Sequence, residues 1–485
     1  MPTLEWIGKS KVINHHQDVP FRVLERKYSF DENGQHDEDN GSENMIIRGD
    51  NLEALKALLP RYEGRVKCIY IDPPYNTGNE GWVYNDNVND PKIKKWLGEV
   101  VGKEGEDLTR HDKWLCMMYP RLKLLQKLLA DDGVIFISID EIEHRYLELV
   151  MDEIFGSANR IDTFVWQNNY GGGAKSNYVV HLHEYVLCFA KNISTVGKIE
   201  LPPDENILKY YKYKDEKFDT RGPYRLQPLA TTSMDDRPNL RYPLFYEGHE
   251  VWPAKQWFWS KERALEAQAN DELVFSEKNG KWTVNYKQYL NGADGTQRKS
   301  KPYSIITGIY TQAGTKAIKE IMGSGKAFDF PKPPELIMYF IQMITGEDDI
   351  VLDSFAGSGT TAHAVLNMNK ADGGHRKFIL VEMMDYADSI TAERVKRVIR
   401  GYGEGKNAVE GTGGNPYYLG QHNSTGYYFY YEPQRVTVLD YAFLATIKEK
   451  ADGTVIYADR CSIGEDKLAQ MGITFKKIPR DISRL

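Results

Sequence analysis

Short runs of apolar, mostly β-branched residues recur along the chain, and several of them end at a Gly, Asp or Pro before an amphipathic pattern begins. This alternation is typical of a parallel α/β sheet with helices packed on it. It predicts strands at Met45–Ile47, Lys67–Ile71, Val134–Ile139, Tyr185–Phe189, Ile350–Leu352 and Lys377–Val381.

Helical spacing of apolar residues separates several of these runs and predicts helices at Leu52–Leu59, Lys113–Leu129 and Glu141–Ile154. The helix from Lys113 carries its apolar residues on one face, at Leu115, Met118, Leu122, Leu125 and Leu129. A helix with this pattern buries that face against a core.

The alternation stops between Lys191 and Ile305, where Tyr, Trp, Pro and Asn become frequent and long apolar helical patterns are scarce. After Arg400, the Gly-rich stretch Gly401–Gly426 predicts a loop or linker, and a short β-leaning tail follows it. The predicted domains are a first core half at residues 1–190, a separate module at 191–305, a second core half at 306–400, and a linker with a small C-terminal domain at 401–485.

The composition is that of a globular protein: the 485 residues are 41% hydrophobic and 27% charged, and the length suits two or three domains. No apolar run reaches the about 18 residues of a membrane-spanning helix, and Met1–His15 lacks the pattern of a secretory signal. We therefore expect a soluble, cytoplasmic protein without a membrane partner. The four cysteines form no CxxC pair, which predicts reduced thiols and no metal site, at Cys68, Cys116, Cys188 and Cys461.

The net charge of -7 counts, taken alone, against a nucleic-acid partner, because phosphate binding needs clustered Lys and Arg. The acidic excess is uneven, however. Lys191–Lys301 contains 19 basic and 16 acidic residues, a net of about +3, whereas the remainder of the chain carries about -10. The middle module is therefore the least acidic part of the chain.

A stiff turn follows the strand predicted at Lys67–Ile71, with the order Asp72-Pro73-Pro74-Tyr75. Two prolines fix φ and remove two backbone donors, so the chain leaves the sheet rigidly with the Asp72 carboxylate at the lip. Such a turn can hold a reacting group still, although the same residues also suit an ordinary strand-ending turn.

A glycine-rich turn follows the strand predicted at Ile350–Leu352, with the order Asp353-Ser354-Phe355-Ala356-Gly357-Ser358-Gly359-Thr360-Thr361. Glycines after a buried strand let backbone N–H groups approach a ligand, and the helix start behind them favours an anionic group. The spacing fits neither a P-loop nor a dinucleotide GxGxxG. Glu382, at the end of the next strand, suits either a contact with two ribose hydroxyls or an ordinary surface position.

Taken together, the Asp-Pro-Pro-Tyr turn and the Phe-x-Gly-x-Gly turn resemble the catalytic and cofactor motifs of the amino-group DNA methyltransferases. Their order, with the catalytic motif first, resembles the β group of that family. Further segments resemble the family framework in sequence order, at Met45–Leu55, Asp132–Gly156, His181–Lys191 and Lys332–Ile337. The resemblance covers roughly residues 40–400.

The middle module resembles the target-recognition segment of type III modification subunits and their solitary relatives, at Asp219–Tyr224 and Trp252–Trp259. The chain is short for a type III subunit. Aromatic residues interleaved with Lys and Arg suit base and phosphate contacts, although many of them also suit the module's own core.

The resemblance implies a Rossmann-like core that depends on S-adenosylmethionine, with a mostly parallel sheet, helices on both faces, an inserted target-recognition domain and a small C-terminal extension. It implies a catalytic role for Asp72, Pro73, Pro74 and Tyr75. The Asp72 carboxylate and the Pro73 carbonyl are expected to accept from the N6 amine of a flipped-out adenine, and Tyr75 to offer a stacking face. The residues implied to bind S-adenosylmethionine are Asp50, Asp72, Lys332, Asp353, Phe355, Gly357, Gly359, Thr360, Thr361 and Glu382.

The implied activity is methyl transfer to N6 of adenine in double-stranded DNA, in the cytoplasm or nucleoid of a bacterium. The implied partners are DNA, a second copy of the chain, and a restriction endonuclease or helicase subunit. Two alternatives stay open: an N4-cytosine methyltransferase, which usually has Ser in place of Asp72, and a catalytically silent DNA-recognition subunit of a restriction or defence complex.

Overall fold

The computed structural model describes residues 3–19, 22, 24–38, 40–76, 110–171, 178–203, 205–232, 235–421, 427–429, 436–446 and 454–478. The chain divides into two compact units, one formed by residues 1–199 and 303–485 and the other by residues 200–302. The second unit falls inside the module predicted at 191–305.

Strands of the described residues are numbered in chain order as β1 (Leu24–Asp31), β2 (Gly34–His36), β3 (Met45–Arg48), β4 (Val66–Ile71), β5 (Leu129–Ile139), β6 (Arg160–Gln167), β7 (His183–Ala190), β8 (Tyr224–Pro228), β9 (Ala230–Thr231), β10 (Leu244–Tyr246), β11 (His249–Val251), β12 (Gln256–Trp257), β13 (Leu273–Lys278), β14 (Lys281–Tyr289), β15 (Ile305–Ile306), β16 (Ile350–Asp353), β17 (Lys377–Glu382), β18 (Gly401–Tyr402), β19 (Val409–Glu410), β20 (Tyr417–Gln421), β21 (Tyr427–Phe429), β22 (Val438–Leu439), β23 (Thr454–Ala458), β24 (Arg460–Cys461) and β25 (Ile473–Lys477).

The α-helices in the same part of the chain are α1 (Lys9–Val12), α2 (His15–Asp18), α3 (Asn51–Tyr62), α4 (Arg110–Leu128), α5 (His144–Phe155), α6 (Ile193–Val196), α7 (Glu205–Leu208), α8 (Phe218–Arg221), α9 (Lys261–Ala269), α10 (Thr311–Met322), α11 (Pro334–Ile344), α12 (Thr360–Asp372), α13 (Glu393–Arg400), α14 (Tyr441–Thr446) and α15 (Glu465–Gln470). Within these described residues, no helix is long and apolar enough to cross a membrane.

Each of the six strands and three helices predicted from periodicity is present. The largest shift is at β5, which begins at Leu129 rather than at Val134. The strands form an eleven-stranded sheet in the order β15-β6-β7-β5-β4-β16-β17-β3-β20-β1-β2. The run from β5 to β20 is parallel, whereas β7 is antiparallel to both of its neighbours. The first unit therefore has the mostly parallel, Rossmann-like α/β core that was predicted.

Helices cover both faces of this sheet. Ile69 and Ile71 of β4 belong to the core formed with α3, α4 and α5. Tyr70, between them, stacks on Phe340 of α11 with the ring centroids 6.2 Å apart. Because successive strand residues face opposite sides, both faces are buried, as is usual for a parallel sheet.

One prediction for the Gly-rich stretch Gly401–Gly426 is wrong. Residues 417–421 do not form a loop but the strand β20, which pairs with β3 and β1 inside the main sheet. Tyr418 of this strand stacks on Tyr28 with the ring centroids 4.8 Å apart, so a buried aromatic contact fixes it there. Residues 422–426 lie outside the described residues.

The second unit is built from small antiparallel sheets, with the strand orders β13-β14-β8, β10-β11 and β12-β9. Its core includes Trp257, whose indole Nε1 donates to the carbonyl of Tyr242 at 2.8 Å. Arg221 is engaged within the unit, because its guanidinium bonds to Glu272 and lies 4.1 Å from the ring centroid of Tyr289. Part of the aromatic and basic content of this unit therefore serves its own packing.

Gly314 sets the approach of α10 to the segment that carries Lys332. A Cβ atom at this position would overlap the carbonyl oxygen of Pro331. We expect Gly314→Ala to destabilise the first unit by about 1–3 kcal/mol, the usual range for overpacking, and thus to lower its melting temperature. Gly325→Ala is the matched control, since its Cβ would meet nothing closer than Thr315 Cγ2 at 3.6 Å. Equal melting temperatures for the two variants would contradict this packing argument.

Candidate active site

The ammonium of Lys332 lies at the centre of a buried cluster at the end of β4. Its Nζ is 3.1 Å from Asp72 Oδ1, 2.7 Å from the Tyr75 hydroxyl and 3.2 Å from Glu184 Oε2. All three ammonium hydrogens therefore have an acceptor. The structure places the charged end of Lys332 against the predicted catalytic turn, and its predicted contact with the cofactor stays a prediction.

Glu184, which the sequence did not single out, joins this cluster from the start of β7. Its Oε2 accepts from the Tyr75 hydroxyl at 3.0 Å, and its Oε1 accepts from Asn168 Nδ2 at 2.9 Å. Because β7 runs antiparallel to β5, its first residues lie at the same edge of the sheet as the last residues of β4. The sequence signals were an acidic residue at the head of an apolar run and the resemblance of His181–Lys191 to the family framework, and neither marked Glu184 as a site residue.

Burial and neighbouring charges both shift the pKa values of this cluster. Desolvation raises the pKa of Asp72 above its usual range, and Glu184 adds to the shift, while Lys332 opposes it. Burial by itself lowers the pKa of Lys332, but the charges of Asp72 and Glu184 outweigh it and hold that pKa above its ordinary value. Lys332 is therefore an ammonium at neutral pH.

The other side of the Asp72–Tyr75 turn is fixed by α4. Trp114 Nε1 donates to the Pro74 carbonyl at 2.6 Å. Asn76, with a φ of 60°, donates from Nδ2 to the Arg110 carbonyl at 3.1 Å and also to Glu143. The Pro74 carbonyl thus already accepts a hydrogen bond from α4. The role predicted for the Pro73 carbonyl stays a prediction.

Tyr75 is mostly buried. The residue is 6% exposed, and Lys332 Nζ lies 4.8 Å from its ring centroid. Its hydroxyl links Lys332 to Glu184. In this arrangement Tyr75 holds the cluster together, and base stacking on its ring stays a prediction that requires the ring to be uncovered.

The glycine-rich turn after β16 is held by carboxylates and hydroxyls. Asp353 Oδ1 accepts from the backbone N–H of Phe355 at 3.0 Å, and its Oδ2 accepts from the Thr361 hydroxyl at 2.5 Å. Glu382, at the end of β17, accepts from the N–H groups of Gly357 at 2.8 Å and Met384 at 2.9 Å. Thr361 and Glu382, both predicted to bind the cofactor, therefore shape the turn.

Two glycines allow this turn to take its path. Gly357 and Gly359 have φ values of 52° and 79°, in the left-handed region that favours glycine. A Cβ on Gly359 would come within 3.0 Å of the Thr391 carbonyl oxygen, and the Thr391 hydroxyl donates to the Gly357 carbonyl at 2.5 Å. Gly359 is therefore needed for packing behind the turn.

Arg394, another residue that the sequence did not reveal, supports the turn from inside the core. Its guanidinium is buried and donates from one nitrogen to the hydroxyls of Ser358 and Thr360, both at 2.7 Å. Its other terminal nitrogen lies 3.2 Å from His363 Nδ1. Burial lowers the pKa of Arg394 to about 9.

The two turns line one open cleft, whose empty space of about 290 Å³ includes solvent at its mouth. Six of the predicted site residues line it: Asp72, Lys332, Asp353, Phe355, Gly357 and Thr360. Phe328, Phe330 and Pro331 line it as well. Phe330 has a φ of 52°, an unusual value for a residue with a bulky side chain.

Asp50 is not brought into this cleft in the described part of the chain. Its carboxylate caps α3 by accepting from the N–H groups of Leu52 at 2.8 Å and Glu53 at 3.3 Å, and it lies 3.6 Å from Arg121. Its predicted contact with a cofactor adenine stays a prediction.

The chemical groups of the cleft fit S-adenosylmethionine. The carboxylates of Asp72 and Asp353 suit a cationic ligand, and the ring of Phe355 suits a flat heterocycle. Thr360 begins a helix of 13 residues, whose N-terminus favours a carboxylate. Within the described residues, no group of His, Cys, Asp and Glu has the arrangement of a metal site.

Comparison with known proteins identifies the family. A family model described as a DNA methylase matches residues 66–393. The chain is 34% identical to the type III Mod subunit StyLTI of Salmonella typhimurium, over 74% of this chain and 58% of that protein. It is 34% identical to the EcoPI Mod subunit of Escherichia phage P1, over 78% and 63%, and to the type II methyltransferase M.KpnI of Klebsiella pneumoniae, over 71% and 81%. The chain belongs to the N6/N4 DNA methylase family.

The match to the two Mod subunits is partial, since the chain spans less than two thirds of their length. Among solved structures, the PvuII DNA methyltransferase, named as cytosine-N4-specific, is similar with a TM-score of 0.37 and 16% identity, over 73% of this chain and 86% of that one. A similarity this loose carries no inference about which base is methylated.

Asp353 predicts a pH dependence of stability. Burial is the main reason why the pKa of Asp353 is raised from the usual 3.8 to about 7. The protonated carboxyl group of Asp353 therefore contributes stability that is fully present below about pH 4 and is lost as the pH rises through 7. Asp353→Asn lacks this loss. We therefore expect the melting temperature of the wild type to fall more than that of Asp353→Asn between pH 5 and pH 8. The exposed Asp348→Asn is the control and should follow the wild type; parallel curves for all three proteins would refute the assignment.

Proposed function

We propose that this chain transfers a methyl group from S-adenosylmethionine to N6 of adenine in double-stranded DNA. The observation that carries the proposal is the shared cleft, lined by Asp72 from the first turn and by Asp353, Phe355, Gly357 and Thr360 from the second. The Asp72 carboxylate, which suits the polarisation of an amine, thus lies in the same cleft as the residues that suit the cofactor. Membership of the DNA methylase family supports the reaction class.

S-adenosylmethionine supplies a methyl group on a sulfonium, which is reactive towards a nitrogen lone pair. We assign its binding to Asp353, Phe355, Gly357 and Thr360, with Glu382 and Arg394 holding the turn. The buried Asp353 carboxylate suits the positive charge of this cofactor, and the start of α12 suits its carboxylate.

The amine of adenine is a weak nucleophile, because its lone pair is delocalised into the ring. Hydrogen-bond acceptors on its two N–H bonds draw the lone pair back to nitrogen and stabilise the positive charge that develops during transfer. We assign these acceptors to the Asp72 carboxylate and the Pro73 carbonyl. Lys332 contacts Oδ1 of Asp72, so we assign the amine to Oδ2.

Asp72 supports adenine over cytosine as the substrate. N4-cytosine enzymes that use a similar turn usually have Ser in this place, as the family resemblance implies. A carboxylate is also a stronger acceptor than a hydroxyl for an exocyclic N–H.

We assign sequence recognition to the second unit, residues 200–302. Several of its large apolar side chains are exposed outside a well-packed core, among them Trp252 at 54%. Exposed aromatic residues suit contacts with bases. The two Mod relatives are subunits of restriction-modification enzymes, so we also propose a restriction subunit or a second copy of the chain as a protein partner, in the cytoplasm of a bacterium.

The product of the reaction tests this proposal. The purified protein is incubated with S-adenosylmethionine and with DNA that lacks modified bases, and the DNA is digested to nucleosides and analysed by mass spectrometry. We expect N6-methyladenine, with N4-methylcytosine absent or a trace. Dominant N4-methylcytosine would overturn the choice of base, and the absence of any methylated nucleoside would favour a silent recognition subunit.

Asp72→Ala tests the role of the carboxylate. We expect kcat to fall by at least about 100-fold, the typical cost of removing one preorganised hydrogen-bonding group from a transition state. Binding of S-adenosylmethionine, measured by titration calorimetry, should change little, because Asp72 is assigned chiefly to the amine. Asp131→Ala, at an exposed position on β5, is the control and should keep full activity. Wild-type turnover in Asp72→Ala would remove Asp72 from the mechanism.

A further inference from the structure

We propose that Glu184 is a positioning residue for methyl transfer, which acts on Asp72 through the shared ammonium of Lys332. The inference rests on the proposed function and adds to it a residue outside both motifs. It starts from geometry: Lys332 Nζ lies 3.1 Å from Asp72 Oδ1 and 3.2 Å from Glu184 Oε2, and is thus shared between two carboxylates from different strands.

The position of Glu184 is itself fixed by two further hydrogen bonds. Asn168, just beyond β6, donates to Oε1, and Tyr75 donates to Oε2. The Tyr75 hydroxyl in turn accepts from Lys332 at 2.7 Å. The cluster therefore joins the first turn, the start of β7, the end of β6 and the segment before α11 through three contacts to one carboxylate.

The charge of the cluster suggests what Glu184 does. Two carboxylates and one ammonium leave a net negative charge beside the amine that becomes positive during transfer. Without Glu184, Lys332 and Asp72 would form a neutral pair, which stabilises a developing cation less. Glu184 also holds Lys332 against a single oxygen of Asp72, so that the carboxylate keeps one orientation.

The titratable groups around Asp72 come from every element that packs there. Tyr70 lies on β4, Tyr75 on the turn, Glu184 on β7, Lys332 before α11 and Asp353 on β16. Of these, Glu184 raises the pKa of Asp72 and Lys332 lowers it. Removal of the Glu184 charge should therefore lower the pKa of Asp72, and removal of the Lys332 charge should raise it.

The chain offers a matched control for Glu184. Glu153, on α5, also accepts from a lysine and a tyrosine, at 2.9 Å from Lys9 Nζ and 3.0 Å from the Tyr119 hydroxyl. Glu153 has no place in the cleft. Glu184→Gln and Glu153→Gln thus make the same chemical change in similar surroundings.

The experiment measures kcat, KM for S-adenosylmethionine and the pH profile of kcat/KM, with unmethylated genomic DNA as the acceptor. Melting temperatures confirm folding, and calorimetry measures binding of S-adenosylmethionine without turnover. For Glu184→Gln we expect kcat to fall about 10-fold to 100-fold, cofactor binding to stay within about twofold, and the acid limb to move to lower pH. Lys332→Gln should move that limb to higher pH. Glu153→Gln should match the wild type in all of these.

Glu184→Asp keeps the charge and shortens the side chain. We expect this variant to have a lower kcat than the wild type and the same acid limb of the pH profile. If Glu184→Gln does not fold, Glu184→Asp provides the test. Wild-type kcat in Glu184→Asp would then overturn the inference, as would a folded Glu184→Gln that behaves like Glu153→Gln. A wild-type protein that methylates no DNA would overturn the proposed function instead, so the two failures are distinguishable.

Discussion

The buried ammonium of Lys332 is the interaction on which the site depends. A lysine removed from water needs acidic partners, because desolvation disfavours its charged form. Lys332 finds them in Asp72 and Glu184, which lie on different strands and far from it in sequence. Loss of either partner leaves a charge that is only partly compensated, which is costly in a buried position. The ammonium therefore links three segments that are far apart in sequence.

The sheet makes this assembly possible. Strands β4 and β16 are parallel neighbours, with Leu352 paired to Ile69, so the turns after both strands leave at the same edge. Ligands of open α/β sheets bind at this carboxyl edge of the strands. The long insertion between the two motifs in sequence does not separate them in space, because the chain rejoins the sheet at β15 and β16 then pairs with β4.

Local sequence patterns predicted most of the fold but only part of the site. The strands that carry both turns were predictable, since an apolar run closed by Asp and then Pro or Gly marks a buried strand and its exit. Glu184 was not, because its place near Asp72 depends on the antiparallel direction of β7, which no local pattern encodes. Arg394 and β20 were missed for a related reason, because contacts that are distant in sequence hold them in place. Arg394 is held by the buried hydroxyls of Ser358 and Thr360. Strand β20 is held by the ring of Tyr28, which lies on another strand. Asp50 was chosen by resemblance, and its carboxylate caps α3.

The distribution of charge favours entry of a base, rather than of the backbone, into the cleft. Asp72 and Glu184 share the one ammonium of Lys332, and Asp353 lines the same cleft as Asp72, so a phosphate would be repelled, whereas a neutral base that gains positive charge would be stabilised. The second unit adds little net attraction for phosphates, because residues 200–302 contain 17 basic and 16 acidic residues and some of them, such as Lys287 with Asp215, pair with each other. Binding under the proposed function therefore depends more on base contacts than on counterion release. A base that leaves the duplex keeps its phosphates outside, so base flipping makes an acidic cleft compatible with a polyanionic substrate.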